Sequence, residues 1–215
     1  MDILEPNLAS WLSKQLGGTF DIRKHTFSNQ DEVYVITVSE KVYYLKTSQN
    51  LESEYANLQL LSDIVPVPTV LAYQHGASNV DYLLMSEVPG NNLVELLDSR
   101  STEVVVHLFA KAVRQFHDSS IKSIFPHASS DDVLLHGDMS MPNVIISATD
   151  EIGYIDVGRA SHGSRDDDLA DAIWSLQRNL GPGYGERFLE LYGFVARSPK
   201  IEEALSYVYK PSSGD

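Results

Sequence analysis

The sequence contains no cysteine. That excludes disulfides, thiolate metal sites and cysteine nucleophiles. Basic residues are also scarce: 16 Lys and Arg stand against 30 Asp and Glu, for a net charge of −14. Such a chain repels nucleic acid and anionic lipid over long range and attracts cations. A polycationic small substrate suits that field, although ordinary soluble proteins are often acidic too. No apolar run approaches the length needed to span a bilayer. The first stretch, MDILEPNLASWLSKQLGG, has neither the basic start nor the long apolar core of a secretory signal. A cytoplasmic protein, monomeric or weakly dimeric, with no membrane or nucleic-acid partner, is the expectation. Internal repeats, coiled-coil heptads and nucleic-acid motifs are missing as well. What remains is 215 residues, 43% hydrophobic and 21% charged, enough for one substantial core or two small lobes.

Periodicity predicts a helix over 1–18, with Leu8, Trp11, Leu12 and Leu16 on one face and Gly17-Gly18 as its stop. Val- and Tyr-rich alternation predicts strands at 20–25, 33–38 and 42–47, with Ser39-Glu40-Lys41 as a hairpin turn. A helix over 52–63 follows. Pro66 and Pro68 forbid its continuation, and a strand begins near Val70. Residues 80–85 form another strand, which runs into a Pro89-Gly90 break. Residues 91–97 and 102–117 read as helices, the second with Val105, Leu108, Phe109, Ala112, Val113 and Phe116 as its apolar face. His117 ends that helix, where a histidine is ordinarily a dipole or packing partner. Helices are also expected at 168–180 with Asp168 as N-cap, at 186–194 and at 199–209. The tail 210–215 reads as disordered.

The chemistry concentrates in residues 135–168, LHGDMSMPNVIISATDEIGYIDVGRASHGSRDDD. His136-Gly137-Asp138, Asn143 and Asp156-Val157-Gly158 make an H-x-D-x-x-x-x-N pattern followed by an apolar run ending in D-x-G. A kinase-type phosphoryl transfer needs one carboxylate to orient the acceptor hydroxyl and an oxygen-ligand pair to hold Mg²⁺ against the phosphates. Asp138 suits the first role. Asn143 and Asp156 suit the second, because Mg²⁺ takes few protein oxygens and completes its shell with phosphate and water. A lone H-x-D would read as a solvated turn. Two such elements at this separation, each beside a strand-like run, favour the site.

HGDMSMPN, GYIDVGR and DDDLADAIWSL together resemble the aminoglycoside phosphotransferase family, especially its 3'-phosphotransferase branch, over about residues 27–176. The resemblance implies an α+β, bilobal protein-kinase-like fold: an N-terminal nucleotide-binding lobe, residues 1–87, with an antiparallel sheet and one helix, and a mostly helical lobe, residues 88–215, with the catalytic loop. It implies transfer of the γ-phosphate of ATP or GTP, with Mg²⁺, to a hydroxyl of a small cationic molecule, foremost an aminoglycoside. Asp138 is then catalytic, and Arg159 reaches it or the substrate. Lys46 falls at the third-strand lysine that meets the α- and β-phosphates, and Glu54 (with Glu52 as competitor) fixes its head. The turn at 26–32 holds no glycine, and Ser28 is its candidate phosphate contact. Ser86 and Val88 belong to the linker whose backbone meets the purine. Asp168 braces the catalytic loop. Asp166, Asp167, Glu202 and Glu203 are candidate contacts for the acceptor's ammonium groups.

One departure stands out: between Glu87 and His136 the chain lacks the helical insertion of full-length aminoglycoside enzymes, and only residues 118–132 connect the flanking elements. Two other functions stay open on sequence grounds. One is a kinase for a sugar-amine, choline or an amino alcohol; the other is a nucleotide-binding module that transfers nothing.

Overall fold

The protein is described by a computed structural model covering residues 6–25, 32–76, 79–193, 196–207 and 209. Its elements divide into two compact units, one of residues 1–59 with 68–87, the other of residues 60–67 with 88–215.

In the first unit, β1 (Asp21–His25), β2 (Glu32–Val38), β3 (Lys41–Ser48), β4 (Val70–His75) and β5 (Asp81–Ser86) form an antiparallel sheet in the order β1-β2-β3-β5-β4. Two helices accompany it, α1 (Pro6–Leu16) and α2 (Glu52–Leu61). Side chains alternate across a strand, so neighbours in sequence face opposite ways. Tyr34, Ile36, Leu45 and Leu84 bury one sheet face against Leu8 and Leu12 of α1. Lys46, next to Leu45 and paired across strands with Val33 and Leu83, therefore belongs to the other face. The β2–β3 turn puts Ser39 at φ +56°, the left-handed conformation that a tight hairpin requires.

Asp81 ties the sheet to the start of α2. Its side chain is buried and accepts from the Leu51 N–H at 2.9 Å, the Tyr73 hydroxyl at 3.0 Å and His75 Nδ1 at 2.5 Å. Burial alone would raise its pKa; the Leu51, His75 and Tyr73 contacts outweigh burial and hold it below the usual value. Tyr55 of α2 stacks on Tyr73 with ring centroids 4.5 Å apart, closing the same corner.

In the second unit, α3 (Thr102–His117) packs against α4 (Asp166–Leu180) and α5 (Tyr184–Tyr192), and α6 (Pro199–Ser206) packs on α4. Ser101 caps α3 by accepting from the Val104 N–H. Val105, Leu108, Phe109, Ala112, Val113 and Phe116 are buried, as their spacing predicts. Arg114 Nε and Nη2 donate to the Tyr192 carbonyl at 2.9 and 2.6 Å while its guanidinium covers the Tyr192 ring, 4.3 Å from the centroid. Short strands complete the unit: β6 (Asn91–Asn92), β8 (Val144–Ile146) and β9 (Ile152–Tyr154) in one sheet, β7 (Val133–Leu135) and β10 (Ser161–Gly163) in another. Between α3 and β7, residues 118–132 carry turns and no helix.

Three expectations are corrected. Residues 91–97 do not form a helix: the segment starts as strand β6 and turns into a 3₁₀ helix over Glu95–Asp98. The Asn92 side chain accepts from the Val94 and Glu95 N–H groups, a local bond that competes with helix. Asp168 is not an N-cap; α4 starts two residues earlier with Arg165 as N-cap. The last helix stops at Ser206, short of Tyr209. The expected disorder of 210–215 concerns residues outside those described.

Asp81→Asn is expected to lower unfolding free energy at pH 7 by about 2–3 kcal/mol, the scale of hydrogen bonds to a buried charged group. Because the folded pKa is depressed, the carboxylate's contribution is full above its unfolded pKa and fades as pH falls through the folded one. Urea melts should therefore show a constant gap between the two proteins above about pH 5 that narrows below about pH 4.

Candidate active site

Strand pairing in the second unit brings two loops together. One runs from β7 to β8 through residues 136–143, the other from β9 to β10 through residues 155–160. β8 pairs with β9, with Val144 opposite Tyr154, and β7 pairs with β10, with Leu135 opposite Ser161. Each loop is thus anchored at both ends beside the other. Cross-loop bonds fix their separation. His136 Nε2 meets the Ile155 carbonyl at 3.0 Å, and the Ile155 N–H donates to the Asn143 carbonyl at 3.0 Å. Asn143 Nδ2 donates to the Asp138 carbonyl at 3.0 Å. The Asn143 amide orientation that makes this bond leaves Oδ1 as its acceptor for a cation.

Two backbone conformations are demanding. Gly137 has φ +78°, and a Cβ there would lie 2.5 Å from the Arg159 carbonyl oxygen. Only glycine fits. Asp156 has φ +59°, the left-handed region that an Asp side chain tolerates better than most but still at a cost. Asp156 is exposed, Asp138 half-buried and Asn143 buried.

Helix α4 supports the first loop from within the core. Asp168, fully buried, accepts the His136 N–H at 2.7 Å and the Gly137 N–H at 2.9 Å. Ser175 Oγ, also buried, accepts the Met141 N–H at 2.9 Å. Seven residues is close to two helical turns, so both groups point to one side of α4. Asp138 lies between these supports. His136 is itself buried, with its ring 5.6 Å from that of Phe116. Burial pushes its pKa down against the opposing fields of Asp168, the Ile155 carbonyl, Asp138 and Asp156. Burial thus favours the neutral imidazole, and its buried Nδ1 has no hydrogen-bond partner among the described residues. It is a structural group.

The first unit holds a buried polar pair of its own. Lys46 Nζ lies 2.7 Å from Glu54 Oε2, with both side chains buried. Glu52, the competitor, is exposed. Ser28 lies outside the described residues. Ser86 Oγ accepts the Thr69 N–H at 2.9 Å, and the Ser86 N–H donates to the Thr69 carbonyl. Val88 packs within the second unit, against Gly153. Arg159 has an exposed side chain, and its carbonyl lies against Gly137.

The four acids expected to face an acceptor are differently placed. Asp166 and Asp167 stand in the first turn of α4, half-buried, and Asp167 pairs with Lys200 of α6. Glu202 is exposed and lies 3.4 Å from Arg197, which also pairs with Glu186. Glu203 is exposed. Sequence reading missed Asp171, one helical turn beyond Asp167. Its carboxyl is pushed up to about 6 by desolvation and by the fields of Asp168, Asp138 and Asp167, with Lys200 opposing. The i to i+4 spacing from Asp167 was the available signal. Sequence reading also assigned His117 no more than a packing role. Among the described residues, no group of three or more His, Cys, Asp or Glu could hold a metal. An Asn–Asp pair completed by phosphate and water remains within the habits of Mg²⁺.

Residues 120–203 match the model of the "Phosphotransferase enzyme family". An aminoglycoside 3'-phosphotransferase of Niallia circulans is 28% identical over 191 residues, 67% of this chain and 72% of that relative. A crystal structure of an aminoglycoside 3'-phosphotransferase of type VIII superposes with a TM-score of 0.71 at 20% identity, covering 94% of this chain and 97% of that one. The streptomycin–ATP–APH(2")-IIa ternary complex superposes with a TM-score of 0.65 at 15% identity, over 95% and 88% of the two chains. Residues 120–203 thus resemble the phosphotransferase enzyme family, and the chain has the protein-kinase-like fold of the aminoglycoside phosphotransferases.

Proposed function

We propose that the protein transfers the γ-phosphate of a nucleoside triphosphate to a hydroxyl of an aminoglycoside, the reaction of an antibiotic-resistance enzyme. The observation that carries this reading is the position of Asn143. Its side chain binds the Asp138 carbonyl and its own carbonyl binds the Ile155 N–H, one residue before Asp156. The three oxygen-bearing residues of the pattern are thereby held in one frame.

Asp138 orients the acceptor hydroxyl and receives its proton as the hydroxyl oxygen bonds to the γ-phosphorus and the bond from that phosphorus to the departing nucleoside diphosphate breaks. Asn143 Oδ1 and the Asp156 carboxylate would hold Mg²⁺, which when bound neutralises charge on the phosphates. Lys46 meets the α- and β-phosphates, and Glu54 keeps its ammonium aimed. Phosphoryl transfer passes through a loose transition state, so positioning and charge neutralisation supply most of the acceleration. Tying the Asp138 loop at 136, 137, 141 and 143 is what such a mechanism needs.

The acceptor's chemistry follows from charge. The field of Asp138 adds to the upward push on the Asp171 carboxyl, and a polycationic aminoglycoside would relieve it. A choline, amino-alcohol or sugar-amine kinase is the second reading, favoured by the turn-only connector at 118–132, which offers less wall for a large acceptor. A panel of these acceptors with γ-labelled ATP separates the two: transfer to aminoglycosides supports the first reading, and transfer only to the smaller amines supports the second.

Asp138→Asn is expected to reduce turnover by about 10²–10⁴-fold while the Mg-ATP-induced rise in melting temperature persists. Turnover within a few-fold of the parent would remove Asp138 from the role. Glu54→Gln should weaken nucleotide binding and leave the loop of Asp138 intact, so the Mg-ATP thermal shift shrinks. Protonation of Asp171 removes a negative charge as pH falls through about 6. The acceptor KM should therefore rise between pH 7.5 and 5.5, and Asp171→Asn should flatten that dependence.

A further inference from the structure

Three hydrogen-bonding side chains run in series from the end of α5 to the backbone preceding Asp138. The Tyr192 hydroxyl lies 2.8 Å from His117 Nδ1. His117 Nε2 lies 3.2 Å from Asp168 Oδ2. That same oxygen accepts the His136 N–H, and Asp168 Oδ1 accepts the Gly137 N–H. The His117 and Asp168 side chains are fully buried. A carboxylate can only accept, so Nε2 donates; in the neutral ring Nδ1 then accepts the tyrosine hydroxyl. Arg165 Nη1, 3.5 Å away, donates toward the tyrosine oxygen.

Packing alone does not account for a histidine here. The site is apolar enough to bury it wholly, and an aliphatic residue would fill it without needing polar partners. Instead both ring nitrogens are matched, each to a group from a different helix. We propose that His117, held in one tautomer and one orientation by Tyr192, is a positioning residue for phosphoryl transfer. It fixes the Asp168 carboxylate, which fixes the His136–Gly137 backbone and hence the aim of Asp138.

The transmission has a physical basis. Gly137 has little room to rearrange around a shifted Asp168, because even a Cβ there would lie 2.5 Å from the Arg159 carbonyl oxygen. Asp138 is the next residue. Any rotation of the Asp168 carboxylate is therefore passed to the peptide that carries Asp138. Asn143 holds the Asp138 carbonyl, on the other side of that residue, and Ser175 holds Met141; neither binds the His136 and Gly137 N–H groups that Asp168 holds. The kinetic consequence rests on the phosphotransferase reading; the mechanical one does not.

The test uses His117→Leu, His117→Gln and Tyr192→Phe in the full chain. Amide hydrogen exchange is read at His136 and Gly137, against Phe109 in the middle of α3 as the reporter of global opening. Turnover and nucleotide KM are measured with Mg-ATP and an aminoglycoside bearing a free 3'-hydroxyl, well below each variant's melting temperature. In His117→Leu, exchange at His136 and Gly137 should quicken at least about tenfold more than at Phe109, local opening being independent of global stability. Turnover should fall about 10- to 100-fold, the scale of a small misplacement at a reacting group, with nucleotide KM little changed. Glutamine, whose amide can donate to Asp168, should restore most of both. Tyr192→Phe keeps the ring and removes only the hydroxyl, so it should show the same pattern more weakly even if the leucine variant does not fold. Exchange that quickens only in step with Phe109, or unaltered turnover in folded variants, overturns the proposal. Should Asp138→Asn retain turnover, the enzymatic reading fails, and the exchange data alone still decide whether His117 positions the loop.

Discussion

A single buried carboxylate, that of Asp168, sets the geometry on which the rest of the second unit depends. Burying a charge without partners costs several kcal/mol. Asp168 avoids that cost with two backbone N–H groups and an imidazole. The same bonds remove the freedom of the peptides in front of Asp138. Ser175, on the same side of α4, holds the Met141 N–H. The loop that carries Asp138 is thus supported on both sides of the residue by a helix that is itself packed through Leu169, Ile173 and Leu176. A loop that must present one carboxylate in one orientation gains precision when its supports come from a rigid element.

The second loop is fixed by a different means. Asp156 stands in the left-handed region, a conformation with a real energetic cost. It persists because its neighbours over-determine it: the Ile155 N–H is held by Asn143 and the Ile155 carbonyl by His136. Gly137, with its own positive φ, presses against Arg159 from the first loop. Strain and hydrogen bonding oppose each other here, and the result is a pair of oxygen-bearing side chains, Asn143 and Asp156, whose backbones cannot drift apart.

Much of this was readable in the chain, for physical reasons. The apolar face of α3 repeats at helical spacing, so its bounds, Thr102–His117, are the predicted ones. Strands β2 and β3 alternate around a two-residue turn and were equally visible. The segment after Gly90 was misread because Asn92 prefers to bond its own backbone, a choice that apolar spacing does not reveal. Asp168 was assigned a cap because a carboxylate near a helix start ordinarily serves there; its bracing of the catalytic loop came from the family resemblance alone. The bonds it makes are to residues more than thirty positions away, and no local pattern encodes them. His117 was passed over for the same reason. Its partners, Tyr192 and Asp168, lie on helices distant in sequence.

The acidic composition also means something narrower than its sum suggests. Several carboxylates are matched by cations of the same chain: Asp167 by Lys200, Glu186 and Glu202 by Arg197, Glu103 and Glu190 by Arg187. Exposed pairs of this kind contribute little to stability, but they cancel field locally. Asp171 differs. Three acids, Asp168, Asp138 and Asp167, act on it against one lysine, so the charge acting on Asp171 is predominantly negative. A cationic acceptor would be drawn to the neighbourhood of Asp138 by an imbalance of a few particular charges, and the net charge of −14 would serve only to bring it near.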